Sequence, residues 1–218
     1  MPAQFDLIVF DWDGTLLDSA AAIVHAMQRA CEDLDVAPPD DYTARSVIGL
    51  GLIDALARVV PDLPSSRHQE LAGRYRYHYL ARDHELVLFD GIREMLASLR
   101  GRGHTLAVAT GKNRVGLNRA LGHTGIGDLF AATRCADESV SKPAPDMVLE
   151  LMDELSFAPE RTLVIGDTTH DLLMARHAGC DAVAVSYGAH PVHELLSVAP
   201  RAHCATVGEL DEWLACHA

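Results

Sequence analysis

The chain has 218 residues, of which 49% are hydrophobic and 22% charged, a balance that excludes disordered and fibrous proteins and fits a soluble globular one. Lys and Arg total 18 against 31 for Asp and Glu, and the net charge of -13 disfavours nucleic acid and anionic membranes as partners. Its five cysteines form no disulfide or zinc motif, and no stretch reaches the roughly 18 apolar residues of a membrane span, so we expect a cytoplasmic protein.

Four continuous apolar runs predict strands that are buried on both faces of a parallel sheet. They cover residues 7–10, 106–109, 163–165 and 182–185. Helical patterns follow the second run, over about 113–121, and the third run, over about 169–178, where Gly179 provides a stop. Strands that alternate with helices predict an α/β fold with right-handed crossovers.

Residues 18–85 interrupt this alternation, because they contain helical patterns and no convincing strand. A first helix is predicted from the apolar face of Ile23, Met27, Ala30 and Leu34, with Asp18 or Ser19 as its cap. Further helical segments are predicted over 43–47, 52–59 and about 66–83. We therefore predict two domains: a core of residues 1–17 and 86–218, and an all-helical insertion of residues 18–85.

Polar side chains follow the predicted strands at the sheet edge where ligands of open α/β folds bind. They are Asp11 and Asp13 after the first run, Thr110 and Gly111 after the second, and Asp167 and Asp171 after the third. Lys142, one of only two lysines in the chain, lies in the loop before the third run and is followed by Pro143. The sequence thus predicts that these residues form one site.

Asp11 and Asp13 are two residues apart, so at strand spacing both carboxylates can point to one side. Carboxylates that are held close together favour a bound cation, and an oxygen-rich site suits Mg²⁺. Asp167 adds a further carboxylate at the same edge, and Asp171 is placed to support the metal waters or Lys142. A magnesium site is therefore predicted here.

The same residues suit phosphoryl transfer through a covalent intermediate. A carboxylate such as Asp11 can attack phosphorus, and a second one, Asp13, can give a proton to the leaving group and later take one from water. Thr110 and the backbone N–H groups of Gly111 and Lys112 can bind phosphate at a helix start, and Lys142 adds positive charge.

Each signal has a common structural explanation when it stands alone. Asp-x-Asp-Gly occurs in turns, an Asp near a helix start is often a cap, and a lysine before a proline is usually on the surface. The combination is more specific, because its members supply a nucleophile, an acid/base, a metal site and phosphate donors at one edge.

The motifs that carry these residues resemble those of the haloacid dehalogenase superfamily. Phe-Asp-Trp-Asp-Gly-Thr-Leu-Leu-Asp-Ser at 10–19 is similar to its first motif, Thr110 to its second, Ser-Lys-Pro-Ala-Pro at 141–145 to its third and Gly-Asp-Thr-Thr-His-Asp at 166–171 to its fourth. The helical insertion resembles the C1-type cap of the phosphoglycolate phosphatase-like subfamily. Order and spacing agree over essentially the whole chain.

This resemblance implies a Rossmann-like core and a mobile cap that closes over the substrate. It implies Mg²⁺ bound by Asp11, by the backbone carbonyl of Asp13 and by Asp167, with Asp171 in support. Arg45, followed by Ile-Gly at 48–49, resembles the cap segment that faces the active site in relatives, which suggests a substrate contact.

The expected activity is hydrolysis of a small phosphate monoester such as 2-phosphoglycolate, by a monomer or homodimer. A sugar-phosphate mutase, or a pyrophosphatase or nucleotidase, remains an alternative on the same core. Asp13 argues against a dehalogenase, and the absence of lysine from residues 19–85 argues against a phosphonatase. A non-enzymatic phosphate-sensing or protein-binding module is disfavoured, because both Asp11 and Asp13 are present.

Overall fold

The computed structural model describes residues 4–218, and its centre is a parallel sheet of six strands. The strands are β1 (Leu7–Phe10), β2 (Thr105–Thr110), β3 (Ala132–Cys135), β4 (Thr162–Gly166), β5 (Asp181–Val185) and β6 (Ala202–Cys204). Their spatial order is β3-β2-β1-β4-β5-β6, so the strand order reverses at β1. The predicted α/β fold is confirmed, and the four predicted strands are β1, β2, β4 and β5.

The two edge strands, β3 and β6, were not predicted. β3 has the sequence Ala-Thr-Arg-Cys and β6 has Ala-His-Cys, so neither shows the continuous apolar run of the central strands. The reason is their position, since an edge strand has one neighbour only and its middle residues are partly exposed.

Ten α-helices accompany the strands in the described part of the chain. They are α1 (Ala20–Glu32), α2 (Asp41–Arg45), α3 (Leu52–Val59), α4 (His68–Leu80), α5 (Ile92–Gly101), α6 (Arg114–Thr124), α7 (Asp146–Leu155), α8 (Thr169–His177), α9 (Val192–Ser197) and α10 (Val207–His217). Because side chains alternate along a strand, β1 contributes Ile8 and Phe10 to one apolar cluster and Leu7 and Val9 to another. No helix within residues 4–218 is long and apolar enough to cross a membrane.

Helices α1 to α4 fall in the predicted insertion and share an apolar cluster of their own. Met27, Leu56 and Leu71 are among its buried members. The predicted helix over 66–83 is divided into a 3-10 turn (Ser65–Arg67), α4 and a second 3-10 turn (Asp83–Glu85). α2 begins earlier than predicted, because Asp40 caps it by accepting a hydrogen bond from the N–H of Thr43 at 2.7 Å.

The two ends of the insertion lie side by side. The N–H of Asp18 donates to the carbonyl of Val87 at 3.0 Å, and the N–H of Phe89 donates to the carbonyl of Leu16 at 3.1 Å. Leu17 and Leu88 form an antiparallel bridge between these hydrogen bonds. The chain therefore leaves and re-enters the sheet region at one place, close to the predicted boundaries; the division into two domains itself stays a prediction.

Candidate active site

The predicted site residues of the strand ends come together at the carboxyl edge of the sheet. Asp11 directly follows β1, Thr110 ends β2, and Asp167 directly follows β4. All three side chains are buried, as is Lys142, which reaches the site from the loop before α7. Because β1 lies between β2 and β4, these side chains converge on the point where the strand order reverses.

Lys142 joins Asp11 to Asp171. Its ammonium donates to Asp11 Oδ1 and to Asp171 Oδ1, both at 2.6 Å, and all three side chains are almost wholly buried. Burial acts to lower the pKa of Lys142, but the two carboxylates raise it above its usual value, so the ammonium stays charged. The loop thus brings a fixed positive charge into the site.

Asp171 also helps to cap the start of α8, a role that was not predicted from the sequence motif. Its Oδ2 accepts from the hydroxyl and the N–H of Thr168, at 2.6 and 3.1 Å, and so forms a capping box at the start of α8. A Cβ on Gly166 would lie 2.3 Å from the Cβ of Asp171, so this approach requires glycine. The carboxylate is fixed in one orientation by the helix start.

Asp167 is held in a narrow place between two glycines. Its Oδ1 accepts from the hydroxyl of Thr15 at 2.8 Å, and its Oδ2 accepts from the N–H of Ala189 at 2.7 Å. A Cβ added to Gly14 or to Gly188 would lie 2.2 Å from Asp167 Oδ2. Only glycine fits at these two positions without displacing the carboxylate.

Asp11, Asp167 and Asp171 each offer a carboxylate oxygen, and these oxygens lie within 4.8 Å of one another. Lys142 is the ammonium that faces this group, so three buried acids meet one positive charge. Burial, with the nearby carboxylate of Asp171, raises the pKa of Asp167 to about 7. Burial also raises the pKa of Asp11 well above its usual value. The ammonium of Lys142 acts to lower this pKa, and the carboxylates of Asp171 and Asp167 raise it further.

The donor set therefore fits a divalent cation. Asp11 Oδ2 is buried and has no hydrogen-bond partner among the described residues, although buried polar atoms are nearly always paired. A cation at this group would satisfy that oxygen and offset the repulsion between the carboxylates. Asp13 does not belong to the carboxylate group; its predicted metal contact, through the backbone carbonyl, stays a prediction.

The carboxylate of Asp13 has a separate set of partners. Its Oδ1 accepts from the hydroxyl of Ser19 at 2.6 Å and pairs with the ammonium of Lys112 at 3.0 Å. Lys112 in turn donates to the phenol oxygen of Tyr79, in α4, at 2.9 Å. Burial acts to lower the pKa of Lys112, but Asp13 and the nearby tyrosines raise it above its usual value.

Ser19 and Tyr79 were missed as site residues. Ser19 was predicted as a possible cap for α1, and it does occupy the cap position, but its hydroxyl makes no capping bond and is donated to Asp13 instead. Its position at the end of the first motif is the sequence signal that could have identified Ser19 as a site residue. Tyr79 had no comparable signal, because it belongs to a tyrosine-rich helix whose partners depend on how the insertion packs.

The residues after β2 meet the insertion closely. The hydroxyl of Thr110 accepts from the N–H of Lys112 at 3.2 Å, so this N–H is not directed into open space. A Cβ on Gly111 would lie 2.5 Å from the carbonyl oxygens of Gly49 and Leu50, which shows how near the insertion approaches. Phosphate binding by Gly111 and Lys112 stays a prediction.

A cavity of about 620 Å³ opens beside Asp13 and Lys112, between the insertion and the core. Its lining comes from α1, the segment 47–51, the start of α3 and the end of α4 on one side, and from α6 and its preceding loop on the other. Asp13 borders this cavity, whereas Asp11 does not. A carboxylate two residues from Asp11 thus borders a space large enough for an organic molecule.

Arg45 lies elsewhere. It borders a second, smaller hollow with Tyr42 and His190, and its Nη1 is 3.4 Å from the carbonyl oxygen of Gly188. The substrate contact predicted for Arg45 stays a prediction. The side chain reaches from α2 to the loop that positions Asp167.

Two histidines at the same contact share one acceptor. His170 Nε2 and His190 Nε2 lie 2.9 and 3.2 Å from the carbonyl oxygen of Ser46, and their rings meet edge to face. Burial lowers the pKa of both, which favours the neutral form that donates through Nε2. They fasten the end of α2 to the core.

Comparison with known families matches residues 8–185 to the haloacid dehalogenase-like hydrolases. The probable phosphatase IndB of Dickeya dadantii is 36% identical over 210 residues, which cover 94% of this chain and 91% of that protein. A 5'-nucleotidase of Pseudomonas aeruginosa is 32% identical over 216 residues, covering 98% and 97%. The crystal structure of a predicted phosphoglycolate phosphatase from Haemophilus somnus superimposes with a TM-score of 0.86 at 24% identity, covering 98% and 99%.

Proposed function

Since the chain belongs to the haloacid dehalogenase-like hydrolase family, we propose that it is a Mg²⁺-dependent phosphatase that cleaves a small phosphate monoester through an aspartyl-phosphate on Asp11. Asp13 is the acid/base of this proposal, and Thr110 and Lys142 complete the catalytic group. The observation that carries it is the buried, unpartnered Asp11 Oδ2, which lies within the group formed with Asp167 and Asp171.

In the first step a carboxylate oxygen of Asp11 forms a bond to phosphorus, and the bond from phosphorus to the ester oxygen breaks. Asp13 gives its proton to the departing alkoxide, so the alcohol leaves neutral. Asp13 suits this step because it follows Asp11 by two residues and borders the cavity.

In the second step a water attacks the phosphorus of the aspartyl-phosphate while Asp13 takes a proton from it. The bond from phosphorus to the Asp11 oxygen breaks, which releases inorganic phosphate and restores both carboxyl groups to their starting forms. Lys142, 2.6 Å from Asp11 Oδ1, holds the nucleophile in place and offsets negative charge near the phosphoryl group.

Asp11, Asp167 and Asp171 are the side chains that would hold Mg²⁺, and the predicted backbone carbonyl of Asp13 would join them. When bound, the ion would neutralise charge on the phosphoryl oxygens. Lys142 would then share Asp11 and Asp171 with the ion.

The reaction is tested by turnover of p-nitrophenyl phosphate by the purified protein, with Mg²⁺ and after chelation. Metal-dependent release of phosphate supports the proposal. Folded protein that shows no turnover with any divalent cation would instead support a binding module. Acid quench during turnover, followed by mass analysis of the peptide that contains Asp11, tests the covalent intermediate, because trapped phosphate adds a defined mass there.

Three classes of phosphate ester are candidate substrates. 2-Phosphoglycolate is the substrate that the sequence resemblance implies, and the similarity to a 5'-nucleotidase supports a nucleotide as the second candidate. A sugar-phosphate mutase would convert β-glucose 1-phosphate to glucose 6-phosphate, so product analysis separates it from a hydrolase. The net charge of -13 supports a small metabolite over a nucleic acid polymer.

A further inference from the structure

On the premise of the phosphatase reaction proposed above, we infer that the alcohol part of the substrate is a bulky, uncharged and largely apolar group, flat enough to pack against tyrosine, and that it occupies the 620 Å³ cavity beside Asp13. The position, the walls, the charges and the size of that cavity define this class of phosphate ester.

The position of the cavity assigns it to the leaving group. Asp13 and Lys112 border it, whereas Asp11 and Asp167 do not. In the proposed reaction Asp13 delivers its proton to the departing alcohol, so the alcohol must extend from phosphorus past Asp13. The cavity that Asp13 borders provides this space.

Its walls on the side of the insertion are made mainly of hydrocarbon. Apolar side chains from α1, from the segment 47–51 and from the start of α3 face the space: Ile23, Met27, Ile48, Leu50, Leu52 and Ile53. Such walls offer no hydrogen bonds to a polar alcohol, and they gain free energy when an apolar group displaces water from them.

Two tyrosines of α4 complete these walls. Tyr75 and Tyr79 stack with their ring centres 5.8 Å apart and their planes within 18°. The phenol oxygen of Tyr79 is engaged by Lys112, so the ring is fixed against the cavity. Rigid aromatic rings bind flat apolar groups at a low cost in side-chain entropy.

The charges around the cavity disfavour a second anionic group on the substrate. Four acids border it: Asp13, Asp54, Asp83 and Asp137. Of the permanent cations that border the cavity, Lys112 pairs with Asp13 at 3.0 Å and Arg119 pairs with Asp83 at 2.6 Å.

The remaining basic side chains at the border of the cavity are exposed to solvent. They are Arg76, His84 and His123. A carboxylate such as that of 2-phosphoglycolate would meet no buried, unpaired cation here.

The volume of the cavity also favours a bulky alcohol. Ligand pockets for organic molecules of drug size measure about 300–1,000 Å³, and this cavity falls within that range. A two-carbon alcohol would leave most of the apolar wall in contact with water. A larger ring-bearing alcohol would cover it.

The test compares esters that have the same kind of leaving oxygen and differ in what it carries. Steady-state kinetics with Mg²⁺ are measured for 2-phenylethyl phosphate, ethyl phosphate and 2-phosphoglycolate. We expect kcat/KM for 2-phenylethyl phosphate to exceed the other two by about tenfold or more, because the phenyl group adds burial that the smaller esters lack. Equal values, or a preference for 2-phosphoglycolate, would overturn the inference.

A variant ties this preference to the cavity wall. Leu52→Asn places an amide in the apolar wall and should lower the ratio of kcat/KM for 2-phenylethyl phosphate over ethyl phosphate by about fivefold or more. Leu149→Asn is the matched control, because Leu149 is an exposed residue of α7 outside the cavity, and its ratio should equal that of the unaltered protein. A ratio in Leu52→Asn that matches the control would contradict the assignment of the wall.

Binding separates a failure of the inference from a failure of the proposed reaction. 3-Phenylpropylphosphonate and propylphosphonate cannot be hydrolysed, and calorimetry with Mg²⁺ compares their affinities for the same protein. If no ester is turned over but the phenyl compound binds about tenfold more tightly, the reaction is wrong and the cavity assignment stands. If both compounds bind equally, the cavity assignment is wrong whatever the reaction.

Discussion

Lys112 and Asp13 form a largely buried ion pair with 3.0 Å between Nζ and Oδ1, and the only other lysine of the chain, Lys142, pairs with Asp11 at 2.6 Å. Asp11 and Asp13 of the first motif therefore each have an ammonium of their own. The first pair is connected to the helical insertion, because Lys112 also donates to Tyr79 of α4. This contact relates the packing of the insertion to the residue proposed as acid/base.

Lys112→Met should lower kcat by about tenfold to a hundredfold, because Asp13 then keeps only Ser19 as a donor. Tyr79→Phe should have a smaller effect, and none when it is added to Lys112→Met, because its phenol acts through the ammonium. A double-mutant cycle on kcat checks this. Tyr77→Phe, on an exposed residue of the same helix, is the control, and additive effects of Lys112→Met and Tyr79→Phe would contradict the coupling.

Asp11→Asn should reduce phosphate release by a factor of about a thousand or more, because an amide does not attack phosphorus usefully. The acid-quenched protein should also lose the added mass of the phosphoryl group. Asp90→Asn, at an exposed site away from the strand ends, should behave as the unaltered protein does. Most of the activity remaining in Asp11→Asn would show that the nucleophile is a different residue.

Asp13→Asn should lower kcat for an alkyl phosphate by about a hundredfold to ten-thousandfold, because the leaving alkoxide loses its proton donor. The loss should be smaller for p-nitrophenyl phosphate, whose leaving group is stable without a proton. Calorimetry should find Mg²⁺ affinity within a few-fold of the unaltered protein, since the Asp13 carboxylate is not part of the acidic group. An equal loss with both esters would argue against the acid role.

Gly188→Ala should weaken Mg²⁺ binding by about tenfold to a hundredfold, because the added Cβ would lie 2.2 Å from Asp167 Oδ2 and must displace it. The metal concentration that gives half-maximal activity measures the effect. Gly122→Ala in α6 is the matched control: its Cβ would have no neighbour within 4 Å, and a helical Gly→Ala change commonly stabilises. Equal metal requirements in the two variants would contradict the proposed role of Asp167.

The metal-free protein should lose stability as pH rises from about 4 to about 7. The pKa of Asp167 is raised to about 7 in the folded chain, chiefly by burial, whereas an unfolded Asp titrates near 3.9. Between these pH values the folded chain keeps the proton on Asp167, whereas the unfolded chain has already lost it. The free energy of unfolding therefore falls as pH rises, until the folded chain also loses the proton. Thermal unfolding with a chelator at several pH values measures this.

Asp167→Asn is the control for that pH dependence. The amide does not titrate, so the variant should lose less stability over the same interval than the unaltered protein does. Mg²⁺ should restore stability to the unaltered protein at the upper end of the range, because the ion replaces the lost proton. A pH dependence that is identical in both proteins would contradict the titration of Asp167.

Much of the core could be predicted because its sequence signals are local. The central strands are continuous apolar runs, since both faces of the sheet are covered, and the chemically important residues follow them directly. The family match confirms the predicted family and phosphatase-type enzyme, and the six-stranded sheet confirms the predicted fold class. The edge strands β3 and β6 were not predicted, because their partly exposed residues do not form a continuous apolar run.

The remaining features depend on contacts between distant parts of the chain. Nothing near Tyr79 in sequence indicates that its phenol meets Lys112, 33 residues away. Arg45 was associated with the substrate by its resemblance to a cap segment, but its place beside Gly188 follows from the packing of α2 on the core. Such pairings depend on how the insertion sits on the sheet, and no periodicity in the sequence records that.

From the paired ends of the predicted insertion we expect residues 18–85 to be replaceable. The N–H of Phe89 donates to the carbonyl of Leu16, and Leu17 is bridged to Leu88, so removal of residues 18–85 would leave two chain ends that are already in contact. A few residues would suffice to close that gap, and closing a short loop costs little entropy. We therefore expect that a helical segment from another protein can be inserted at the same junction without redirecting β1 or α5. The lining of the cavity would be exchanged, while Asp11, Asp167 and Asp171 would keep their hydrogen-bond partners, which lie outside residues 18–85.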